Sequence, residues 1–564
     1  MSTLRYDLIY ATKNRIVMLT DTNIHNDIHM RFVFQQQILL ADKILTSEEK
    51  TFAIRSLTKN YDRDKVMLND GTRRICENCN QECLATLYCE YCVRNYLKEN
   101  FSNWTSGNDG IDDLIQNCQL ETIRPNVIVE WIPYSNLKNI KYLTKGGLSE
   151  IYTADWINGS YDEWDSKRQQ LIRFGDENVI LKRLENVKSA NQGWFEEAKS
   201  HLTISNKWPD IVQCYGLTQD ISNGNYMLVM MKMDIDLRKY LQQNHNQLTW
   251  KERIGIAYEI ILSLYYIYCE NAIHRDLHSG NILYSQFNDS WHISDLGFCG
   301  PADKSSKSIY GNLPYIAPEI IVGRECTFAS DIYSIAMLMW EISSGQPPFI
   351  NYEHDYDLAM NIINGIRPKI VTGTPLEYKN LMIQCWDADP LKRLDADALA
   401  TKMKRLILDY QNMSDKSFQP EIDNLEMNKV KGNYASSRLF TSKIHQFAEN
   451  LPEPKNATEE EQEAFHSKSY DFNIPDDIND FNGSNKQNSG KSSKIIDIFK
   501  GSSKRLSKVF KKLQMNSNND EKEITQQQQT KKQNINIDDD DDIHNNPNLH
   551  SNEQDEFEIP DDGF

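Results

Sequence analysis

The run Ile273-His274-Arg275-Asp276-Leu277-His278-Ser279-Gly280-Asn281-Ile282-Leu283 constrains this chain more than any other. It places an amide, Asn281, five residues after a carboxylate, Asp276, with His-Arg just before it. That pattern suits a loop in which Asp276 steers the proton of a bound hydroxyl while Asn281 offers a neutral oxygen to magnesium. Apolar, strand-like sequence then leads to Ser294-Asp295-Leu296-Gly297, a second carboxylate followed by a flexible glycine. Single His, Asp and Asn residues in loops are ordinarily just solvated polar groups. Order and spacing set this group apart.

Together the two segments resemble the catalytic loop and metal-binding motif of protein kinases. Further matches run along the chain. Thr144-Lys145-Gly146-Gly147-Leu148-Ser149-Glu150-Ile151 stands where kinases carry the glycine-rich phosphate loop, whose glycines let backbone amides approach phosphates. Thr144 and Ser149 replace the first and third glycines of that pattern, so a stiffer, bulkier loop is expected. Val179-Ile180-Leu181-Lys182 is similar to the strand whose lysine holds the α- and β-phosphates, which implies that role for Lys182. Ile180 replaces the usual small alanine, and Ile151 would complete the ceiling over adenine. Glu197, in Phe195-Glu196-Glu197-Ala198-Lys199, matches the ion-pair partner of the lysine. Glu196 points about 100° away on a helix, so only one of the two can face Lys182. In Leu228-Val229-Met230-Met231-Lys232-Met233, the resemblance makes Met230 the back wall of the nucleotide pocket. It assigns the backbone of Met231 and Met233 to adenine, and Leu283 joins the nucleotide-binding set.

The resemblance implies an α+β, bilobal kinase fold over residues 136–410, with a β-rich small lobe and a helical large lobe. His278-Ser279-Gly280-Asn281 looks like variants in the tyrosine-kinase-like group, whose members mostly phosphorylate Ser and Thr. The implied activity is transfer of the ATP γ-phosphate to protein hydroxyls in intracellular signalling, with Asn281 and Asp295 on Mg²⁺ and Asp276 on the acceptor. The alternative is a catalytically silent kinase-fold scaffold, favoured by Thr144, Ser149 and Ile180. Residues 295–319 match an activation loop ending in Ala317-Pro318-Glu319, with Ser305, Ser306, Ser308 and Tyr310 as candidate phosphorylation positions. Asn312 is placed to hydrogen-bond Asp276, and Asp331 to cap the catalytic-loop backbone from below. Arg393, in Asp389-Pro390-Leu391-Lys392-Arg393, should pair with Glu319.

Outside that domain the chain changes character. Residues 1–72 read as helical, with Thr46-Ser47-Glu48-Glu49 as a capping box before Phe52, Ile54 and Leu57. Residues 73–95 hold Cys76-Glu77-Asn78-Cys79 and Cys89-Glu90-Tyr91-Cys92. Two such pairs can present four thiolates to a closed, structural zinc site, with Cys83 as a competing ligand; the bland alternative is a cluster of reduced thiols. Residues 96–135 form a connector with a helix-like stretch near 110–120, flanked by Trp104-Thr105-Ser106-Gly107 and Glu130-Trp131-Ile132-Pro133-Tyr134. Cys pairs followed by these two stretches resemble an expanded group of fungal protein kinases, a likeness covering most of residues 45–410.

Residues 411–564 are rich in Asn, Ser, Asp, Glu and Gln, and read as a largely disordered tail. Within it, 491–515 carry eight Lys/Arg and one acid, Asp497, with Leu506, Val509, Phe510 and Leu513 at helical spacing. This basic amphipathic patch suits an anionic membrane surface, a partner groove or a nuclear-import signal, or is simply a solvated charge run. Phe472-Asn473-Ile474-Pro475-Asp476-Asp477 is echoed by Phe557-Glu558-Ile559-Pro560-Asp561-Asp562. The formal charge of -19 argues against general nucleic-acid binding. Without an apolar N-terminal stretch, a cytoplasmic protein is expected.

Overall fold

The computed structural model describes residues 4–22, 24–146, 149–184, 193–301, 309–411, 442–447 and 451–467. The chain opens with three helices, α1 (Tyr6–Leu19), α2 (Ile28–Ala41) and α3 (Ser47–Leu68). The capping box is formed: the Glu49 N–H donates to the Thr46 hydroxyl at 3.3 Å and the Thr46 N–H to the Glu49 carboxylate at 2.9 Å. Leu57, Ile9, Ile16 and Leu39 form the small core of these helices, with Phe52 and Ile54 at its edge. Strands β1 (Arg74–Ile75) and β2 (Glu82–Cys83) then pair antiparallel. Helices α4 (Glu90–Glu99) and α5 (Asp109–Leu120) follow, the latter capped by Asn108.

The small lobe is built from β3 (Glu130–Trp131), β4 (Leu137–Gly146), β5 (Ser149–Trp156), a separate hairpin β6 (Tyr161–Asp165) and β7 (Gln170–Arg173), and β8 (Glu177–Arg183). Helix α6 (Gly193–Ile204), β9 (Cys214–Gln219) and β10 (Tyr226–Met231) complete it. The sheet order is β3-β9-β10-β8-β5-β4. Strand alternation divides β8 between two surroundings. Val179 and Leu181 pack with Trp156 and Val229, while Ile180 joins Met230 and the α5–α6 side. Gly216 lets β3 lie against β9: a Cβ there would sit 1.8 Å from the Glu130 carbonyl oxygen.

The large lobe opens with β11 (Ile235–Asp236) and α7 (Leu237–Asn244), with Asp236 as N-cap, then α8 (Trp250–Cys269). Short strands β12 (Ala272–Ile273), β13 (Ile282–Ser285), β14 (Ser290–Ile293), β15 (Gly300–Pro301) and β16 (Ile309–Gly311) carry the loops of the cleft. Helices α9 (Pro318–Ile321), α10 (Phe328–Ser344), α11 (Tyr356–Ile363), α12 (Leu376–Cys385) and α13 (Ala396–Gln411) form the body. Every residue of α10 from Ser330 to Ser343 is buried, which makes it the axis of the large core. Among the described residues no helix is long and apolar enough to cross a membrane.

The N-terminal helices touch both lobes. Lys404 donates to the Val17 and Met18 carbonyls, and the Asn14 amide to those of Asn288 and Asp289. On the other side Arg55 and Lys59 of α3 pair with Glu163 and Asp162 of β6 at 2.6 and 3.0 Å.

Part of the stretch read from sequence as tail is folded onto the large lobe. Strand β17 (Lys443–His445) pairs antiparallel with β16, and α14 (Glu459–His466) is closed by a capping box of Thr458 and Glu461. Phe465 is buried and stacks on Tyr352 with ring centroids 5.3 Å apart. The basic patch 491–515 and the repeated Phe-x-Ile-Pro-Asp-Asp motif lie outside the described residues.

Candidate active site

The cleft is assembled by β8 and α6 from above and by the β12–β13 and β14–β15 loops from below. Lys182, on β8, reaches two carboxylates at once: Glu197 Oε1 at 2.7 Å and Asp295 Oδ1 at 2.5 Å. Glu197 is thus the α6 carboxylate that meets the lysine. Burial alone would pull the Lys182 pKa down, but Asp295 and Glu197 outweigh it and raise the ammonium above its ordinary value. Burial likewise works against the Asp295 charge, and Lys182 overcomes it, holding that carboxyl well below the usual range. Glu197, His201 and Asp295 could by spacing form a metal triad, with ligand atoms within 4.8 Å of one another. The Lys182 ammonium already lies against two of these three groups.

Two residues of the cleft hold strained backbone. Arg275 (φ 68°) and Asp295 (φ 59°) are left-handed without being glycine. Such conformations cost about 1–3 kcal/mol each and persist where surrounding bonds over-determine them. Here Asp331 accepts from the His274 and Arg275 N–H groups at 2.7 and 3.0 Å, capping the loop from below. The sequence motif gives His274 no task. Its Nδ1 accepts from the Asp276 N–H at 3.3 Å, which leaves the proton on Nε2, 3.0 Å from the Ser294 carbonyl. One buried imidazole therefore ties the Asp276 loop to the residue before Asp295.

Asp276 is 5% exposed, and burial lifts its carboxyl to about 7, with the Ser442 hydroxyl pulling the other way. Its main-chain carbonyl accepts from Asn281 Nδ2 at 2.9 Å, so the Asn281 side chain is turned with Oδ1 free to act as an oxygen donor. The carboxylate itself receives Ser442 Oγ at 2.7 Å and the backbone N–H of Asn312. Asn312 thus reaches Asp276 through its main chain. His278, where many serine/threonine kinases have lysine, is buried with Nε2 3.8 Å from Asp276 Oδ2. Burial drops its pKa to about 3, so it brings no positive charge. Gly311 (φ 137°) passes close beside: a Cβ there would lie 3.3 Å from Asp276 Oδ1.

Along the roof, Ile151 is registered opposite Lys182, and Met230 opposite Ile180. Ile180, Met231, Met233 and Leu283 all pack against the cluster that contains buried Met230. The Met231 N–H already donates to the Gln213 carbonyl at 2.9 Å, so any Met231 contact with a ligand falls to its carbonyl. Gly146 ends β4, paired with Ser149, whereas Gly147 and Leu148 lie outside the described residues. So do Ser305, Ser306 and Ser308; Tyr310 lies on β16, registered opposite Ile444. The donor set fits a hard divalent cation: Asn281 Oδ1 and the Asp295 carboxylate are oxygen ligands of the kind Mg²⁺ takes.

The cysteine pairs come together elsewhere, in a cluster with Trp164 and Leu171 of the β6–β7 hairpin. Sγ atoms of Cys76 and Cys92 are 3.7 Å apart, and those of Cys79 and Cys89 3.6 Å. All four lie within 4.8 Å of one another. Tetrahedral thiolates 2.3 Å from zinc would be separated by about 3.8 Å. Cys83 is buried and groups instead with Cys89 and Glu90.

Residues 137–403 match the family model described as protein tyrosine and serine/threonine kinase. The dual specificity protein kinase zakA of Dictyostelium discoideum is 30% identical over 196 residues, covering 32% of this chain and 25% of that protein. The human dual serine/threonine and tyrosine protein kinase is 31% identical over 192 residues, 32% of this chain and 20% of its own. The probable serine/threonine-protein kinase roco5 of Dictyostelium discoideum is 28% identical over 300 residues, 50% of this chain and 10% of that one. The chain thus spans a quarter or less of the length of these relatives. With the two lobes, the Lys182–Glu197–Asp295 bridge and the Asp276–Asn281 loop, residues 137–403 form a protein kinase domain with a β-sheet small lobe and a helical large lobe.

Proposed function

We propose that this chain transfers the γ-phosphate of ATP to Ser and Thr hydroxyls of protein substrates. The observation that carries this reading is the Lys182 ammonium held between Glu197 and Asp295, in one cleft with Asp276 and Asn281. Lys182, steadied by Glu197, orients the α- and β-phosphates, and Gly146 and Gly147 bring backbone amides over them. Ile151, Ile180, Met230 and Leu283 enclose adenine, which donates to the Met231 carbonyl and hydrogen-bonds the backbone of Met233. Mg²⁺, held by Asn281 and Asp295, would neutralise charge developing on the phosphoryl oxygens. Asp276 orients the acceptor hydroxyl and takes up its proton, so the residues act by positioning and charge. The intact charged set speaks against a silent scaffold.

Purified full-length protein should label casein from radiolabelled MgATP, and Asp276→Asn should lower the rate by about 10²–10⁴. Equal labelling by both proteins would remove the reading. The dual-specificity names of two relatives favour a second reading in which tyrosine is also accepted. Phosphoamino-acid analysis of the labelled product separates the two.

The cysteine geometry supports a structural zinc held by Cys76, Cys79, Cys89 and Cys92. The Cys pairs and the two Trp-containing stretches also support membership of the expanded fungal group. A cytoplasmic site of action, and contact of 491–515 with membrane or a partner, belong to the same proposal.

A further inference from the structure

The carboxylate assigned to the acceptor already holds a hydroxyl. Ser442 Oγ donates to Asp276 Oδ1 at 2.7 Å, although 166 residues separate them. The residues that follow run antiparallel to β16, with Gly311 opposite Lys443, Tyr310 opposite Ile444 and Ile309 opposite His445. Strand addition of this kind is a standard way to bind a peptide: the ladder supplies affinity, and alternate side chains supply register. Here Lys443 Nζ reaches the His354 carbonyl at 3.2 Å. His445 is buried, its Nε2 lies 3.0 Å from the Gly311 carbonyl, and its ring stacks on Phe447. Ile444, between them, is 57% exposed. The strand is therefore seated by its first and third residues, with a serine hydroxyl at the catalytic carboxylate.

Farther along, the same segment is strapped to the large lobe. Asn456 accepts from the Ala388 N–H at 2.9 Å and donates to Asp387 at 3.0 Å, and Gln462 donates to the Gly365 carbonyl at 2.7 Å. Gly365 (φ 88°) makes room for the strap: a Cβ there would stand 2.2 Å from the Ala457 nitrogen. A strap that only covered the lobe could place any residue at Asp276. A serine delivered by a paired strand, hydroxyl first, is the arrangement an acceptor needs.

We propose that Ser442 is phosphorylated in cis by this catalytic centre, and that phosphate there releases residues 442–447 from the acceptor groove. The inference rests on the phosphotransfer reading above. Ser442 Oγ forms a bond to the γ-phosphorus of a nucleoside triphosphate. The bond from that phosphorus to the β,γ-bridging oxygen breaks, and its electron pair leaves with the nucleoside diphosphate. The hydroxyl proton passes to Asp276 Oδ1, along the existing hydrogen bond, and then to solvent. The product sets a phosphate of about two negative charges against the Asp276 carboxylate. Lys182 is already committed to Glu197 and Asp295. Repulsion then frees the strand. Before that step the tethered segment competes with outside acceptors at an effective concentration on the order of millimolar.

The test uses full-length protein, first treated with phosphatase, then given Mg²⁺ and ATP over a wide range of protein concentration. The expected result is a Ser442 phosphopeptide by mass spectrometry, formed at a fractional rate independent of concentration and absent from Asp276→Asn and Ser442→Ala. After the reaction, KM for casein should fall about tenfold or more with kcat little changed, and amide exchange at 443–445 should accelerate. Phosphate on casein or elsewhere on the chain, with Ser442 unmodified, overturns the inference and leaves the kinase reading standing. A fractional rate that climbs with protein concentration also overturns it, because the transfer is then between molecules. Absence of Asp276-dependent phosphate on every acceptor removes both.

Discussion

Arg393 and Glu319 form a bidentate pair at 2.6 and 2.7 Å with side chains 0% and 3% exposed. Removing one member of a buried pair strands the other's charge, at about 3–5 kcal/mol. Arg393→Ala should therefore lower the denaturant midpoint and the folded yield, and Glu319→Ala with Arg393→Ala should cost less than the two separate losses combined. An unchanged melting temperature for Arg393→Ala would mean the pair contributes nothing. This contact was readable from sequence because both partners sit in recognisable motifs. Glu197 was distinguishable from Glu196 by the same kind of matching, since helical spacing turns them to different faces. The work of His274 was not readable: which ring nitrogen carries the proton depends on two neighbours brought together only by folding. Ser442 was hidden for a similar reason, as nothing in Ser-Lys-Ile-His announces which groove it enters.

At the scale of elements, α5 backs the helix that carries Glu197. Ile111, Leu114 and Ile115 of α5 pack in one cluster with Ala198 and Leu202 of α6. Truncating a fully buried aliphatic side chain costs about 2–5 kcal/mol. Ile115→Ala should lose stability of that order and also slow phosphotransfer, by loosening the Lys182–Glu197 bridge at 2.7 Å. Chemical denaturation and a casein assay at a temperature where the variant is folded check the two effects separately; full activity would show that α6 holds its position unaided. The α5 helix was legible from the helix-like stretch near 110–120, and α6 from the kinase-like match that sets Glu196 and Glu197 on a helix. The β6–β7 hairpin was less so, because its partner surface is the cysteine cluster rather than the main sheet. Helix α14 has a plain capping box in Thr458 and Glu461, but its polar composition masks Phe465, the residue that anchors it.

At the scale of the whole molecule, the cysteine cluster is packed beneath Trp164 and Leu171, so a metal there would fasten the N-terminal module to the small lobe. Elemental analysis of protein purified without chelator should find a single zinc per chain. Stripping it, or making Cys79→Ser with Cys92→Ser, should lower the melting temperature and expose residues 74–100 to protease. A metal-free protein of unaltered stability would leave only reduced thiols. Helix α1 is bonded to the large lobe through Lys404 and Asn14, while α3 is bonded to the small lobe through Arg55 and Lys59. The two lobes are thus joined twice, once by the hinge after Met231 and once through these helices. A jaw with a second strut opens only as far as that strut flexes, so the stiffness of three helices outside the kinase domain would govern how quickly a nucleotide enters and leaves the cleft.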